Sequence, residues 1–140
     1  MTGHWLVKTE PHAFGWDQQV KNDVEPWTGV RNFTARNHLK AMHKGDRVFF
    51  YHSGERKEIV GVVQVVREAY PDPTAQEGPW VCVDMKTVGP MPRPVSLAEI
   101  KADPKLTDIL LARQARLSVM PITPAHWTHI CQLGGWKEAD

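Results

Sequence analysis

The residues from Ile59 to Tyr70 constrain the fold more than any other part of the sequence. Positions 59–66 hold five valines and one isoleucine. Side chains branched at Cβ pack well on a pleated surface and lose rotamer freedom in a helix, so this run predicts a long central strand. A central strand needs neighbours, and the shorter apolar stretches predict four further strands: His4–Lys8, Arg47–His52, Pro79–Val88 and Arg116–Ile122.

Helical signals are interspersed with these strands. Asn32–Met42 has apolar residues at helical spacing. The capping-box spacing of Ser96–Glu99 starts a short helix, and Thr123-Pro124 starts a last one that ends at the glycines 134–135. Further helical turns are predicted at Trp16–Asn22 and Lys105–Leu111, a loop at Glu25–Val30, and turns at the proline clusters 71–73, 90–94 and 121–124. The pattern predicts an α+β fold, a small and mostly antiparallel β-barrel with short helices around it.

The overall composition limits the classes of function. A length of 140 residues predicts one domain, residues 1–140, and a net charge of +1 excludes tight non-specific binding to nucleic acid. No secretory signal or membrane-length apolar run is present, so we predict a cytoplasmic protein, or a nuclear one in a eukaryote. The two cysteines, Cys82 and Cys131, are too few for a disulfide framework and are expected to be buried thiols. No glycine-rich phosphate loop occurs, and no cofactor is predicted.

The stretch from Trp27 to Asn37 combines the residue types that recognise a nucleobase. Trp27 lies in a proline- and glycine-containing loop, and two arginines and two asparagines follow it at a predicted helix start. An indole stacks on a base, an asparagine amide pairs with a base edge, and arginine holds phosphate. Packing of Trp27 as a lid on the core, beside solvated arginines, would explain the same residues.

The amino-acid sequence of this stretch resembles that of a known family. Trp-x-Gly-Val-Arg-Asn-Phe-x-Ala-Arg-Asn is similar to the signature of the EVE domain, a branch of the PUA-like superfamily related to YTH domains. Four other stretches agree in order: Lys8-Thr9-Glu10-Pro11, Phe50-Tyr51-His52-Ser53, Tyr70-Pro71-Asp72-Pro73-Thr74 and Arg116-Leu117-Ser118-Val119. The resemblance covers roughly residues 4–135, with Thr9 where the family usually has serine and a less polar segment at residues 12–15.

The resemblance implies a PUA-like barrel whose pocket accepts a modified base flipped out of DNA or RNA. The base-binding residues that it implies are Lys8, Thr9, Glu10, Trp27, Arg31, Asn32, Tyr51, His52, Ser53, Arg116 and Ser118. The helix start would contact phosphate through Arg36, Asn37 and Lys40. The prediction is therefore a non-catalytic, monomeric reader of modified nucleic acid.

Two other functions compete with the reader. Asp72, Asp84 and Lys86 fit the spacing of a metal-dependent nuclease, in which two carboxylates hold the cation and the lysine supports the attacking water. A small-molecule or protein-interaction module could use the same pocket. His126 and His129, with Cys131 close by, could bind a metal, but the sequence supplies no evident fourth ligand, so no metal site is predicted.

Overall fold

The computed structural model describes residues 3–137 and contains one six-stranded sheet. The strands are β1 (His4–Thr9), β2 (Val24–Pro26), β3 (Arg47–His52), β4 (Glu58–Pro71), β5 (Val81–Ser96) and β6 (Val119–Pro121). The long central strand predicted from Ile59 is confirmed as β4, which pairs with β3 on one side and β5 on the other.

Short helices connect the strands. They are α1 (Trp16–Asn22), α2 (Phe33–Ala41), α3 (Leu97–Ala102), a 3₁₀ turn at Pro104–Leu106, α4 (Leu110–Arg113) and α5 (Pro124–Gly134). The predicted cap at Thr123 is confirmed, because its Oγ1 accepts from His126 N at 3.2 Å. Asn32, which was not predicted as a cap, also caps its helix, because its Oδ1 accepts from Ala35 N at 2.9 Å. Ser96 and Glu99 form the predicted capping box.

The strand order is β2-β5-β4-β3-β1-β6. The pairing of β1 with β3 is parallel, and the other four pairings are antiparallel, so the prediction of a mostly antiparallel α+β fold is confirmed. Within residues 3–137 the pairings run from β2 to β6 without joining these two strands. The closed barrel that the resemblance implies therefore stays a prediction.

The core lies between the sheet and the helices that cover it. Leu6 and Val7 of β1 and Phe49 and Phe50 of β3 are fully buried. The ring of Phe49 stacks on Trp127 of α5 with centroids 3.8 Å apart, which fixes α5 against the sheet. Both cysteines are free and buried, as predicted. None of the helices within residues 3–137 has the length and apolar character to cross a membrane.

Several predicted boundaries are wrong, each for a local reason. The prolines at 90–94 lie inside β5 rather than in a turn, because the β4–β5 register jumps there from the pair Gly61–Pro90 to the pair Ile59–Val95. Proline lacks the N–H that a regular ladder of hydrogen bonds requires, but residues in this irregular segment can do without that hydrogen bond. The loop expected at 25–30 begins as β2, which adds to β5 at the sheet edge.

The last strand and the helix before it are shorter than predicted. Only Val119–Pro121 of the stretch Arg116–Ile122 pairs, against β1. The helix expected at Lys105–Leu111 is split into the 3₁₀ turn and α4, and Ile109 is the N-cap residue between them.

Parallel pairing places the chemistry of two motifs at one end of the sheet. The register pairs Lys8 with Tyr51 and Thr9 with His52, so β1 and β3 end side by side. The loop after β2 reaches the same region, because Trp27 N donates to Val83 O of β5 at 2.7 Å.

Candidate functional site

A cleft of about 490 Å³ opens between the end of β1 and the loop that follows β2. Its lining consists of Lys8, Thr9, Glu10, Ala13, Phe14, Glu25, Pro26, Trp27, Thr28, Gly29, Val30, Arg31 and Ser118. We call it the Trp27 cleft. Its volume is within the roughly 300–1,000 Å³ of small-molecule sites. Six of the eleven residues predicted to bind a base are on this lining: Lys8, Thr9, Glu10, Trp27, Arg31 and Ser118.

Trp27 forms an aromatic wall of the cleft. Only 7% of the residue is exposed, and its ring meets Phe14 and Phe50 edge-on, with centroids 5.9 and 5.6 Å away. Edge-to-face contacts of this kind hold a ring at a fixed angle. The lid interpretation and the wall interpretation are both partly right, since Trp27 packs on the core and also borders an open space.

Polar groups surround this wall. Lys8 Nζ donates to Ala115 O at 2.9 Å, and an ammonium group has further protons to donate. Burial, and secondarily Lys57, lowers the pKa of Lys8. The Thr9 hydroxyl donates to Phe14 O at 2.8 Å, so it positions the turn at residues 10–14. Threonine at this position therefore supplies the same hydroxyl group as the serine that the family usually has there.

The loop that carries Trp27 is fastened by Asp72. One carboxylate oxygen accepts from Gly29 N at 2.8 Å and from Arg31 Nη1 at 3.0 Å, and the other accepts from the Thr74 amide and hydroxyl, both at 2.7 Å. Burial alone would raise the pKa of Asp72, but the hydrogen bonds from Thr74, Gly29 and Arg31 outweigh it and lower the pKa to about 2. The loop therefore depends on a buried negative charge.

Gly29 is needed at the turn of this loop. Its φ is +85°, in the left-handed region that favours glycine. The conformation aims its N–H at the Asp72 carboxylate. The glycine of the Trp-x-Gly motif is thus explained by backbone geometry.

Asn32 and Arg116 lie beside the cleft rather than in it. With Thr34, Gln114, Ala115 and Leu117 they line a second cavity of about 320 Å³. The side chain of Asn32 already caps α2 through Ala35 N. The base-edge role predicted for Asn32 therefore competes with its role as a helix cap.

The residues at the end of β3 also lie off the cleft lining. Tyr51 is 3% exposed, and burial raises its pKa to about 12, so its hydroxyl stays neutral. His52 Nε2 accepts from Trp16 N at 3.1 Å, and burial lowers its pKa. Ser53 N donates to Thr9 O at 2.9 Å. In this structure these residues support the end of β1.

The predicted phosphate contacts lie on the surface of α2. Lys40 and Asn37 are exposed, and Arg36 is half-buried. The guanidinium of Arg36 donates to Asn37 Oδ1 through Nη2 at 2.6 Å and through Nε at 3.2 Å. The pair presents one positive charge outward.

The residues of the nuclease pattern are engaged within the protein. Both oxygens of Asp72 are saturated by four donors and its side chain is fully buried, while Asp84 accepts from the Tyr70 hydroxyl. Lys86 pairs with Asp23 at 3.2 Å. A cation would have to displace these partners, so the geometry lends no support to a metal-dependent nuclease.

A metal site on α5 is not supported either. His126 Nε2 lies 3.1 Å from Asp108 and His129 Nε2 lies 2.6 Å from Asp103, so the two histidines have separate partners. Within residues 3–137 no group of three histidine, cysteine or acidic residues is placed to hold a metal ion.

Sequence reasoning missed two components of the site. Phe14, which contacts Trp27, belongs to the segment 12–15, which was noted only as less polar than the family usually is. Asp72 and Thr74 were recognised as a turn and as part of a family motif, and Asp72 as part of a nuclease pattern, but not as the anchor of the loop that carries Trp27. The Asp-Pro-Thr spacing is a signal for a turn in which the carboxylate accepts from the residue two positions later, and the amide of Thr74 does donate to it.

Comparison with known proteins identifies the family. The family profile described as "EVE domain" matches residues 3–133. This chain belongs to the EVE domain family. Human thymocyte nuclear protein 1 is 33% identical over 168 aligned positions, which span 95% of this chain and 74% of the human protein.

Solved structures of similar proteins agree with the fold. A protein of Rhodopseudomonas palustris, determined by NMR, is 51% identical with a TM-score of 0.92, over 99% of this chain and 97% of the other. Human THYN1 protein, crystallised in complex with 5-methylcytosine-containing DNA, is 31% identical with a TM-score of 0.84, over 98% of this chain and 100% of the other.

Proposed function

We propose that this EVE domain is a non-catalytic reader of modified DNA and that it accepts an extruded base in the Trp27 cleft. The observation that carries the proposal is the juxtaposition of an indole wall with polar side chains around an open cavity of suitable size. The similar human THYN1 protein has been crystallised with 5-methylcytosine-containing DNA, which supports a methylated base as the ligand.

The lining offers the hydrogen-bonding groups that a cytosine edge requires. Cytosine presents an amino donor, which a carboxylate can accept, and acceptors that need N–H or O–H donors. Glu10 is an exposed carboxylate on the lining, and Lys8 and Ser118 supply donors.

Energetics set the size of the expected preference. Extruding a base costs a few kcal/mol, and stacking on an aromatic ring returns about 1–3 kcal/mol. Burial of one methyl group adds about 0.8 kcal/mol, or roughly four-fold in affinity. Stacking and two or three hydrogen bonds offset the cost of extrusion and leave a modest affinity, so we expect micromolar rather than nanomolar binding and a preference of about four-fold for the methylated base.

The experiment is a titration of short DNA duplexes that differ only in one 5-methylcytosine. Wild type should bind the methylated duplex about four-fold more tightly. Trp27→Phe keeps the packing but reduces the stacking surface, and Glu10→Ala removes the exposed acceptor; both should weaken the methylated complex. Glu77→Ala, an exposed acid outside the lining, is the matched control. Equal affinity of wild type, Trp27→Phe and Glu10→Ala for every duplex would disprove the assignment of the cleft.

A further inference from the structure

An exposed aromatic surface lies next to the Trp27 cleft. Phe33, at the start of α2, is 59% exposed, although a phenyl ring is costly to leave in water. Its ring packs on Trp80 with centroids 4.9 Å apart and planes inclined by 32°. Arg36 Cζ lies 5.2 Å from the Phe33 centroid, and Arg31 Cζ lies 5.8 Å from that of Trp80. We call these four side chains the Phe33 ledge.

The ledge is held in place before any ligand binds. Arg31 donates to Asp72 and, through Nη2, to Thr74 Oγ1 at 3.1 Å. Arg36 is anchored on the Asn37 amide. Fixed side chains lose little rotamer entropy on binding, so a ligand gains more of the contact free energy.

Charge and continuity indicate what covers the ledge. Arg31 belongs both to the ledge and to the lining of the Trp27 cleft, so a ligand that fills the cleft passes this surface. Residues 31–42 contain three cationic side chains, Arg31, Arg36 and Lys40, and no acidic residue. A flat apolar face bordered by the Arg36 guanidinium suits a nucleobase joined to a phosphate.

We propose that the Phe33 ledge stacks on the base adjacent to the one held in the Trp27 cleft. This inference rests on the proposed function, and it names a second binding subsite for the same strand. Extrusion of one base leaves its neighbour with an unstacked face, and the exposed phenyl ring supplies a replacement surface. The ledge would thereby recover part of the cost of extrusion.

A double-mutant cycle tests the contact directly. Wild type and Phe33→Ala are titrated with the 5-methylcytosine duplex and with versions that carry an abasic residue on the 5′ or the 3′ side of the modified base. Because base–aromatic stacking is lost, Phe33→Ala should bind the 5-methylcytosine duplex without an abasic residue about 5- to 150-fold more weakly than wild type does. An abasic residue on one side should weaken wild-type binding similarly and have little additional effect on Phe33→Ala.

Matched variants separate this contact from other effects. Val20→Ala truncates another exposed apolar side chain, 48% exposed on α1, and should leave the affinity unchanged. Phe33→Trp keeps an aromatic face and should restore binding. Thermal melts of each variant should show an unchanged fold, because the Phe33 ring is mostly outside the core.

The outcomes distinguish failure of the ledge from failure of the proposed function. The ledge proposal is overturned if Phe33→Ala binds within two-fold of wild type. It is also overturned if the fold loss in affinity from Phe33→Ala and the fold loss from the abasic residue multiply in the combined measurement. In both cases a preference for the methylated duplex still supports the reader. If wild type dimerises at micromolar concentration and Phe33→Ala does not, a second copy covers the ledge and the proposal is equally overturned. If wild type binds no duplex, both proposals fall.

Discussion

Replacing Asp72 by asparagine tests whether the loop that carries Trp27 is held by a buried charge. The fall in the pKa of Asp72 from 3.8 to about 2 corresponds to about 2 kcal/mol of folding free energy at neutral pH. In the variant, an amide NH₂ would face two groups that also donate, Gly29 N and Arg31 Nη1, and would leave them unpaired. We expect D72N to lower the free energy of unfolding by about 2–4 kcal/mol at pH 7, measured by urea denaturation followed by tryptophan fluorescence.

The pH dependence gives a second, independent check. A carboxylate whose pKa is lowered by folding stabilises the native state above its unfolded pKa, and this stabilisation is lost as the pH falls through the folded value. The difference between wild type and D72N should therefore be constant from pH 7 to about pH 4 and shrink between about pH 4 and pH 2. Asp46, whose pKa is also lowered, contributes equally to both proteins and cancels in the difference.

Thr74→Val provides the control for this prediction. It removes the hydroxyl bond to Asp72 and the exposed bond from Arg31 Nη2, but it keeps the backbone bond and the charge. Because the Arg31 bond is exposed to water, the variant should cost about 1 kcal/mol. A D72N protein within about 0.5 kcal/mol of wild type would be indistinguishable from an ordinary surface change. That result would refute the buried-charge anchor.

Three further predictions concern packing, protonation and salt. Gly61→Ala should lower the free energy of unfolding by about 1–3 kcal/mol, since its Cβ would overlap the Trp16 ring; Gly89→Ala, 3.3 Å from Trp136, should cost less in the same denaturation assay. Burial lowers the pKa of His52, so the free energy of unfolding should decline as the pH drops below about 6.5. Thermal melts of His52→Gln, which keeps a neutral acceptor for Trp16 N, should show a weaker decline, and the same decline in both proteins would contradict this. If Lys40 contacts phosphate in a duplex, Lys40→Gln should reduce the slope of log affinity against log salt by about 0.9, whereas the exposed control Lys105→Gln should not change it.

The parts of the fold that were predictable are those where local chemistry and packing agree. The β-branched run of β4 and the Thr123-Pro124 start of α5 carry their own signals, and both were located correctly. The continuation of β5 through Pro90, Pro92 and Pro94 was not predictable, because it depends on a change of register against β4 that only the assembled sheet imposes. The length of β6 also depends on its neighbour in the assembled sheet, since only three of its residues pair with β1.

The motifs that form the site were predictable, but the role of each side chain within the site was not. The resemblance predicted that Lys8, Trp27 and Ser118 lie together, and all three line the Trp27 cleft. The resemblance could not show that Asn32 serves as a helix cap or that Tyr51 is sealed in the core, because both facts depend on side-chain direction. Local hydrogen bonds compete with ligand binding for the same polar atoms, and a sequence does not show which partner a side chain takes.

The electrostatics of the cleft suit discrimination better than tight binding. Arg31 spends its charge on Asp72, so this guanidinium orders the loop and contributes little free attraction for phosphate. With a net charge of +1, few phosphate contacts remain to drive non-specific binding. A protein held by many phosphates would be occupied by the large excess of unmodified DNA. If the proposed function holds, phosphate contacts are few and recognition depends on the extruded base and its neighbour, so a single methyl group can change the occupancy of a site by about four-fold.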